Sequence, residues 1–231
     1  MNTDAKIDIK YEDESIIVCH KPAGFPVQTK KLGQPDMETW LKNYLRKKQP
    51  GQKKEPYLAV IHRLDQPVEG LLVFAKTKAA AASLSKQVSA EESEDMIKCY
   101  HAEVYGSMPF DKGELMNYLL KDARTNTSKV VSEAFSKTPE GKAAKRAFLE
   151  YEVLESDGET QLLKVRIHTG RHHQIRVQLS HAGCPIVGDT KYGTEQSRAY
   201  TAQKGVRYPM LKAVHLTFIH PVTGETMGFS L

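Results

Sequence analysis

Apolar and polar positions alternate along much of this chain with a period of two, the mark of strands that bury one face. Ile7, Ile9 and Tyr11 alternate with polar neighbours, and Glu12-Asp13-Glu14 then turns the chain into the apolar run Ile16-Ile17-Val18. This predicts an antiparallel hairpin, closed by the rigid loop Lys21-Pro22-Ala23-Gly24. Residues 57–61 and 70–74 are short runs rich in Val, Ile and Phe and predict buried strands. A strand over 97–105 follows. Residues 147–153 and 162–168 predict two more around Ser156-Asp157-Gly158-Glu159, where Asp-Gly between alternating runs signals a hairpin. Val214, Leu216 and Phe218 mark a last strand.

The period lengthens to that of a helix where Met37, Trp40, Leu41, Tyr44 and Leu45 share a face behind a capping side chain, Asp36. Alanine content predicts a second helix over 79–88, ending near the acidic run Glu91-Glu92-Ser93-Glu94-Asp95. A third is predicted over 172–182, with Ile175 and Leu179 as its apolar seam and Gly183 where a left-handed C-cap belongs. Residues 47–55, with Pro50 and Gly51, read as a mobile basic loop, and 112–145 are polar, weakly periodic and yield no element. There is no internal repeat, long linker or clean domain boundary. Hairpins outnumber helices, which argues for an α+β fold rather than a doubly wound parallel one.

Composition narrows the class without changing this picture. The 231 residues suffice for one sizeable core, or one domain of two lobes. No apolar run approaches the roughly 20 residues that span a bilayer, and the first six residues hold no export signal. Cys19, Cys99 and Cys184 are odd in number and form no Cys-x-x-Cys pair, which favours a reducing compartment and argues against a disulfide framework or structural zinc. A cytoplasmic protein is expected. The net charge is +5, but it is unevenly spread: residues 160–212 hold nine Lys or Arg and two acids, a net +7 that leaves −2 for the remainder. Such a stretch suits a phosphate-rich partner; a solvated basic face fits the charge equally well.

The strongest candidate for chemistry is His62-Arg63-Leu64-Asp65, a short polar break between two apolar runs. A carboxylate at such a junction is held by rigid elements yet can face a cleft. Read alone, Asp65 is either a catalytic group or the cap of a turn and partner of Arg63. Arg176 reads either as a cation that orients a carboxylate or as a phosphate contact, and Tyr100, mid-strand, as core. His172 and His173 are adjacent and would splay apart on a helix, with no acid nearby to complete a ligand set, so no metal is expected.

Taken together, the motifs resemble those of the RluA-type RNA pseudouridine synthases over nearly the whole chain. They are Asp13-Glu14-Ser15-Ile16-Ile17-Val18 with Lys21-Pro22-Ala23-Gly24, His62-Arg63-Leu64-Asp65 with Gly70-Leu71-Leu72-Val73, and Lys98-Cys99-Tyr100-His101-Ala102. Gly170-Arg171-His172-His173-Gln174-Ile175-Arg176, Gly188-Asp189-Thr190-Lys191-Tyr192-Gly193 and His220-Pro221-Val222-Thr223-Gly224-Glu225 complete the set. The resemblance implies a mixed, mainly antiparallel sheet bent around a central cleft and flanked by helices. It implies a single catalytic domain of two lobes spanning 1–231, with no small RNA-binding domain ahead of it.

The implied activity is isomerisation of a uridine in structured RNA, ribosomal or transfer, by a cytoplasmic monomer that needs neither cofactor, metal nor membrane. Asp65 would act at C1′ as nucleophile or base, Arg176 would pair with it, and Tyr100 would stack on the flipped uracil. Arg63 would fill the gap the uridine leaves, while His62, Lys21, Arg171 and Lys191 would serve substrate or RNA binding. One departure stands out: Val68-Glu69 occupies the place where family members often have Thr-Ser, setting a second carboxylate near Asp65. Two other readings compete, an RNA-binding protein without catalysis and a glycoside hydrolase using Asp65 and Glu69 as a carboxylate pair.

Overall fold

The computed structural model describes residues 7–31, 33–51, 54–90 and 94–231. Met1 to Lys6, two residues of the basic loop and Glu91-Glu92-Ser93 of the acidic run therefore lie outside the described residues. The fold is α+β and divides into two compact units, Met1–Ile97 with Ala213–Leu231, and Lys98–Lys212.

In the first unit, β1 (Asp8–Glu12) and β2 (Ile16–Lys21) form the predicted hairpin. Its turn is fixed by Asp13, whose Oδ1 accepts the N–H groups of Ser15 at 2.7 Å and Ile16 at 2.8 Å. Helix α1 (Met37–Lys48) starts where Asp36 Oδ1 accepts the Thr39 N–H at 2.8 Å, and buries Met37, Leu41 and Leu45. The apolar run before His62 becomes only the two-residue strand β3 (Ala59–Val60), because Tyr57 is exposed and Ile61 already enters the loop. By contrast β4 (Glu69–Ala75) is buried along nearly its whole length and pairs antiparallel with β2.

Helix α2 (Lys78–Ser89), capped by Thr77, lays Ala80 and Leu84 on a core of Ile16, Val18, Leu71, Val73, Leu216 and Phe218. The last two of these belong to the late strand β10 (Leu211–Ile219), most of which joins this unit beside β4. The last strand, β11 (Thr226–Ser230), pairs antiparallel with β10.

The second unit is an antiparallel sheet in the order β5 (Met96–Tyr105), β9 (Thr160–Ile167), β8 (Lys145–Ser156), β6 (Lys112–Asp122), β7 (Thr127–Val131). The β8–β9 turn is the one Asp-Gly signals: Asp157 Oδ1 accepts the Glu159 and Thr160 N–H groups at 3.0 and 2.7 Å. Residues 112–145, which gave no element in the sequence, form the β6–β7 hairpin and the single helical turn α3 (Glu133–Ser136). Along β6 the period is diluted because one face is open to solvent and still carries Met116, while Leu119 is its one buried apolar side chain.

Helix α4 (Gln174–His181) covers one face of this sheet, Val177 packing on Leu119 and Ala147. It ends in a Schellman motif: Gly183, at φ 86°, donates to the Ser180 carbonyl and Cys184 to that of Leu179. A short polar helix, α5 (Glu195–Gln203), buries only Ser197 and Tyr200. All three cysteines are buried and free. No helix among the described residues is long and apolar enough to cross a membrane.

Gly70 is where the first unit is tightest. It opens β4 opposite Lys21 at φ +139°, and a Cβ there would lie 2.5 Å from Ala213. Gly70→Ala is therefore expected to cost about 1–3 kcal/mol from overpacking, read as a lower midpoint in urea unfolding with an unchanged slope.

Candidate active site

Asp65 lies on the loop that joins β3 to β4. The loop is tight: the Asp65 carbonyl accepts the Val68 N–H at 3.0 Å, and the flanking Leu64 and Val68 are buried while Asp65 itself is half-buried. Apolar anchors on each side thus fix the backbone and leave the carboxylate at the edge of the core.

A second anchor is ionic. Lys21, at the end of β2, is fully enclosed, and its Nζ donates to the carbonyls of Pro22 at 3.0 Å, Phe25 at 2.7 Å and Gln66 at 2.9 Å. One ammonium thereby ties the Pro22-to-Phe25 loop to the Asp65 turn. The two loops are joined again by the Gly24 N–H donating to the Gln66 carbonyl at 2.9 Å and the Gln66 amide to the Gly24 carbonyl at 3.0 Å. Burial pushes the Lys21 ammonium down to about 7, while the charges of Asp65 and Glu69 pull the other way.

The neighbours of Asp65 divide by environment. His62 is half-buried and its Nε2 accepts the Val73 N–H at 3.4 Å, while Arg63 is exposed. Glu69, the departure from the family pattern, lies 3.1 Å from His20 Nε2 across the β2–β4 ladder.

In the second unit, Tyr100 is buried at the middle of β5, opposite Val165 of β9. Arg176 on α4 is also buried. Its Nε and Nη2 donate to Asp189 Oδ2 and Oδ1 at 2.7 and 2.8 Å, a two-pronged pair whose carboxylate is fully enclosed. Asp189 Oδ1 further accepts the N–H groups of Lys191 at 3.0 Å and Tyr192 at 3.3 Å. The Arg176 guanidinium lies 5.2 Å from the centre of the Tyr192 ring.

Tyr192 carries the network onward. Its hydroxyl bonds His173 Nδ1 at 2.6 Å and accepts the Ser128 N–H at 2.8 Å. His172 Nδ1 meets Ser128 Oγ at 2.9 Å and its Nε2 meets Asn126 Oδ1 at 3.2 Å. Lys191 is exposed, and its Nζ donates to the Asn126 carbonyl at 2.9 Å. Arg171 is turned inward in part, its Nε donating to the Arg146 carbonyl at 2.8 Å. The β6–β7 hairpin tip is thus fastened to the start of α4 and to the loop after Gly188.

Two expectations are corrected here. The helix begins at Gln174 rather than at 172, because His173 takes a left-handed conformation at φ 56° as its N-cap. Outside the helix the two histidines do not splay; their rings stack with centroids 3.7 Å apart. Sequence reasoning also gave no role to Asp189 or Tyr192, although both sit in a quoted motif. The signal was there: Asp189 is one of only two acids in the basic stretch 160–212, so the buried cation there had few choices of partner. Among the described residues no group of three or more His, Cys, Asp or Glu is placed to hold a metal ion.

Comparison with known proteins gives a consistent set of matches. The family model described as RNA pseudouridylate synthase matches residues 15–181. The ribosomal large subunit pseudouridine synthase D of Vibrio parahaemolyticus is 34% identical over 98% of this chain and 67% of its own length. The dual-specificity RNA pseudouridine synthase RluA of the same organism is 32% identical over 95% of this chain and 80% of its own length. Among solved structures, human RNA pseudouridylate synthase domain containing 4 superimposes with a TM-score of 0.76 at 25% identity, covering 97% of this chain and 87% of that one.

Removing one partner of the Arg176–Asp189 pair leaves a buried charge uncompensated. Asp189→Ala is expected to cost about 3–5 kcal/mol in urea unfolding, whereas Lys191→Ala, on the surface, stays within about 0.5 kcal/mol. Lys21 generates a pH signature. Its folded value of about 7 lies below the ordinary 10.5, so the unfolded chain binds more protons between those values. Wild-type stability therefore rises relative to Lys21→Met as pH climbs from about 7 towards 10.5, and the difference is flat below 7. Paired unfolding curves at pH 6, 8 and 9.5 check this sign.

Proposed function

The chain belongs to the RNA pseudouridylate synthase family, and from that premise we propose that Asp65 is the carboxylate with which it isomerises uridine in RNA to pseudouridine. The single observation that carries the assignment is the placement of Asp65: a half-buried carboxylate on a loop fixed by Lys21 and by buried Leu64 and Val68. The reaction breaks the N1–C1′ bond, turns the base over and rejoins it through C5, with the C5 proton leaving last. Nothing is oxidised or reduced. The carboxylate acts at the sugar, either bonding to C1′ or taking a sugar proton as the base departs.

Tyr100 takes the face of the flipped uracil, since an aromatic side chain buried on a strand offers a fixed stacking plane. Arg176 orients the Asp65 carboxylate, and Asp189 in turn holds the guanidinium in one pose. Arg63, exposed beside Asp65, fills the space the uridine vacates. Lys21 acts from beneath this loop rather than on RNA. His62, beside Asp65, belongs to the RNA-contacting set together with Arg171 and Lys191, which lie within the basic stretch that supplies phosphate affinity. The reading takes the two units as lobes of one catalytic domain, acting as a cytoplasmic monomer. The relatives' names make large-subunit ribosomal RNA the first substrate to test, with transfer RNA second.

Asp65→Asn is expected to abolish pseudouridine formation, by at least about 10³-fold on the scale of a lost catalytic group, while leaving RNA affinity within about twofold. Pseudouridine mapping across total RNA of a strain lacking the protein, complemented with wild type or Asp65→Asn, checks this. Restoration of the missing mark by the variant overturns the assignment.

A further inference from the structure

The proposed mechanism leaves one shielded cation without a task. Most of the enclosed cations have visible counterparts: Lys21 has three carbonyls, Lys76 has Glu12 and the Asp13 carbonyl, and Arg176 has Asp189. Lys98 differs. It is half-buried within the sheet, and no hydrogen bond or ion pair holds its ammonium among the described residues. Burial lowers its proton affinity and no neighbouring charge offsets that. A partly desolvated ammonium gains more from an acceptor than one in open water, so the position suits an acceptor that arrives from outside.

The strand geometry says where. Successive side chains of β5 alternate, so Lys98 and Tyr100 project from the same face, opposite Ile167 and Val165 of β9. That face also carries Leu163, and further along the sheet it is the one on which α4, the helix bearing Arg176, packs through Val177 onto Ala147. Two residues along a strand is about 6.6 Å, within the compass of a four-carbon side chain. A base lying on the Tyr100 ring therefore presents its edge to Lys98. The acceptors on that edge are the uracil carbonyl oxygens.

We propose that Lys98 is a catalytic residue that stabilises the uracil anion formed when the N1–C1′ bond breaks, donating to a uracil carbonyl oxygen. The electron pair of that bond leaves with the base and its charge is shared by N1, O2 and O4. This is so whether Asp65 bonds to C1′ or takes a sugar proton, so both routes need the same help. When C5 then attacks C1′, the C5=C6 pair forms the new bond while the Asp65–C1′ bond breaks or, on the other route, the sugar regains its proton. A base then takes the C5 proton, N1 gains one, and the charge at the oxygen falls. The interaction is strongest at the moment of greatest charge, which is what accelerates a step rather than merely tightening binding. The inference rests on the reading that Tyr100 lies against the target uracil.

The test compares wild type, Lys98→Met and Lys98→Arg in single-turnover reactions on large-subunit ribosomal RNA transcribed with uridine or with 5-fluorouridine. Fluorine stabilises the departing anion on its own, and it blocks only the final loss from C5, so N1–C1′ cleavage is still measured by digestion and chromatography. Lys98→Met is expected to slow cleavage on uridine by about 10²-fold, with RNA Kd within about twofold. On 5-fluorouridine the deficit shrinks at least about tenfold, and Lys98→Arg recovers part of the rate on uridine. Equal losses on both substrates, or a weaker Kd with an unchanged rate as for a phosphate contact, overturn the assignment of Lys98 alone. A wild type inert on this RNA and on transfer RNA alike overturns the parent reading and this one with it.

Discussion

The arrangement around Asp65 depends on one ammonium that has been taken out of water. Lys21 leaves β2 and finds three carbonyl oxygens, from Pro22, Phe25 and Gln66, that no strand or helix satisfies. Three acceptors converging on one point repel one another, and only a donor with several hydrogens can hold them together. A lysine does this at the cost of desolvating a charge, which is why its proton is loosened. An apolar residue of the same length would avoid that cost but leave the Phe25 carbonyl without its donor and the other two held only by the Gly24 and Phe25 N–H groups. The turn bearing Asp65 and the Pro22-to-Phe25 loop are therefore held in one register by a fully enclosed group.

The second unit solves an equivalent problem with a planar cation. Arg176 is buried, and its guanidinium is matched by the Asp189 carboxylate in a fork that fixes distance and angle together. Asp189 is itself pinned by two backbone N–H groups, and Tyr192 closes over the pair while reaching His173 and Ser128. The consequence is that the β6–β7 hairpin, weakly apolar and half open to solvent, is anchored through polar contacts to the same loop that positions the arginine. Local polar contacts join the small apolar cluster of Leu119, Ala147 and Val177 in holding this corner.

These two anchors bear on what was legible beforehand. The hairpin closed by Asp13, the capped helices at Asp36 and Thr77, and the Asp157 turn all follow from side chains that act on their own neighbourhood, so sequence spacing reveals them. The short run before His62 looked like a buried strand of its own, but only Ala59 and Val60 pair, since a two-sided core is needed to make five apolar residues a strand. Strand β6 escaped because its period is masked by Met116 on the open face. The histidine pair was misplaced because a left-handed residue at 173 delays the start of the helix to Gln174, two residues later than expected, and no glycine marks it. Asp65, Tyr100 and Arg176 were named from motif resemblance, and the same motifs held Asp189 and Tyr192 without showing what they touch.

By itself the sequence determined the class of fold, the local turns and caps, and the family to which the chain belongs, because these depend on period, on neighbouring side chains and on residues that stand in order. Only the tertiary structure decided which groups meet over long separations. Lys21 reaches Gln66 across forty-five positions, and His20 meets Glu69 across forty-nine. Such pairings are set by strand register and by the need to satisfy each enclosed polar group, and neither is written in any one segment of the chain.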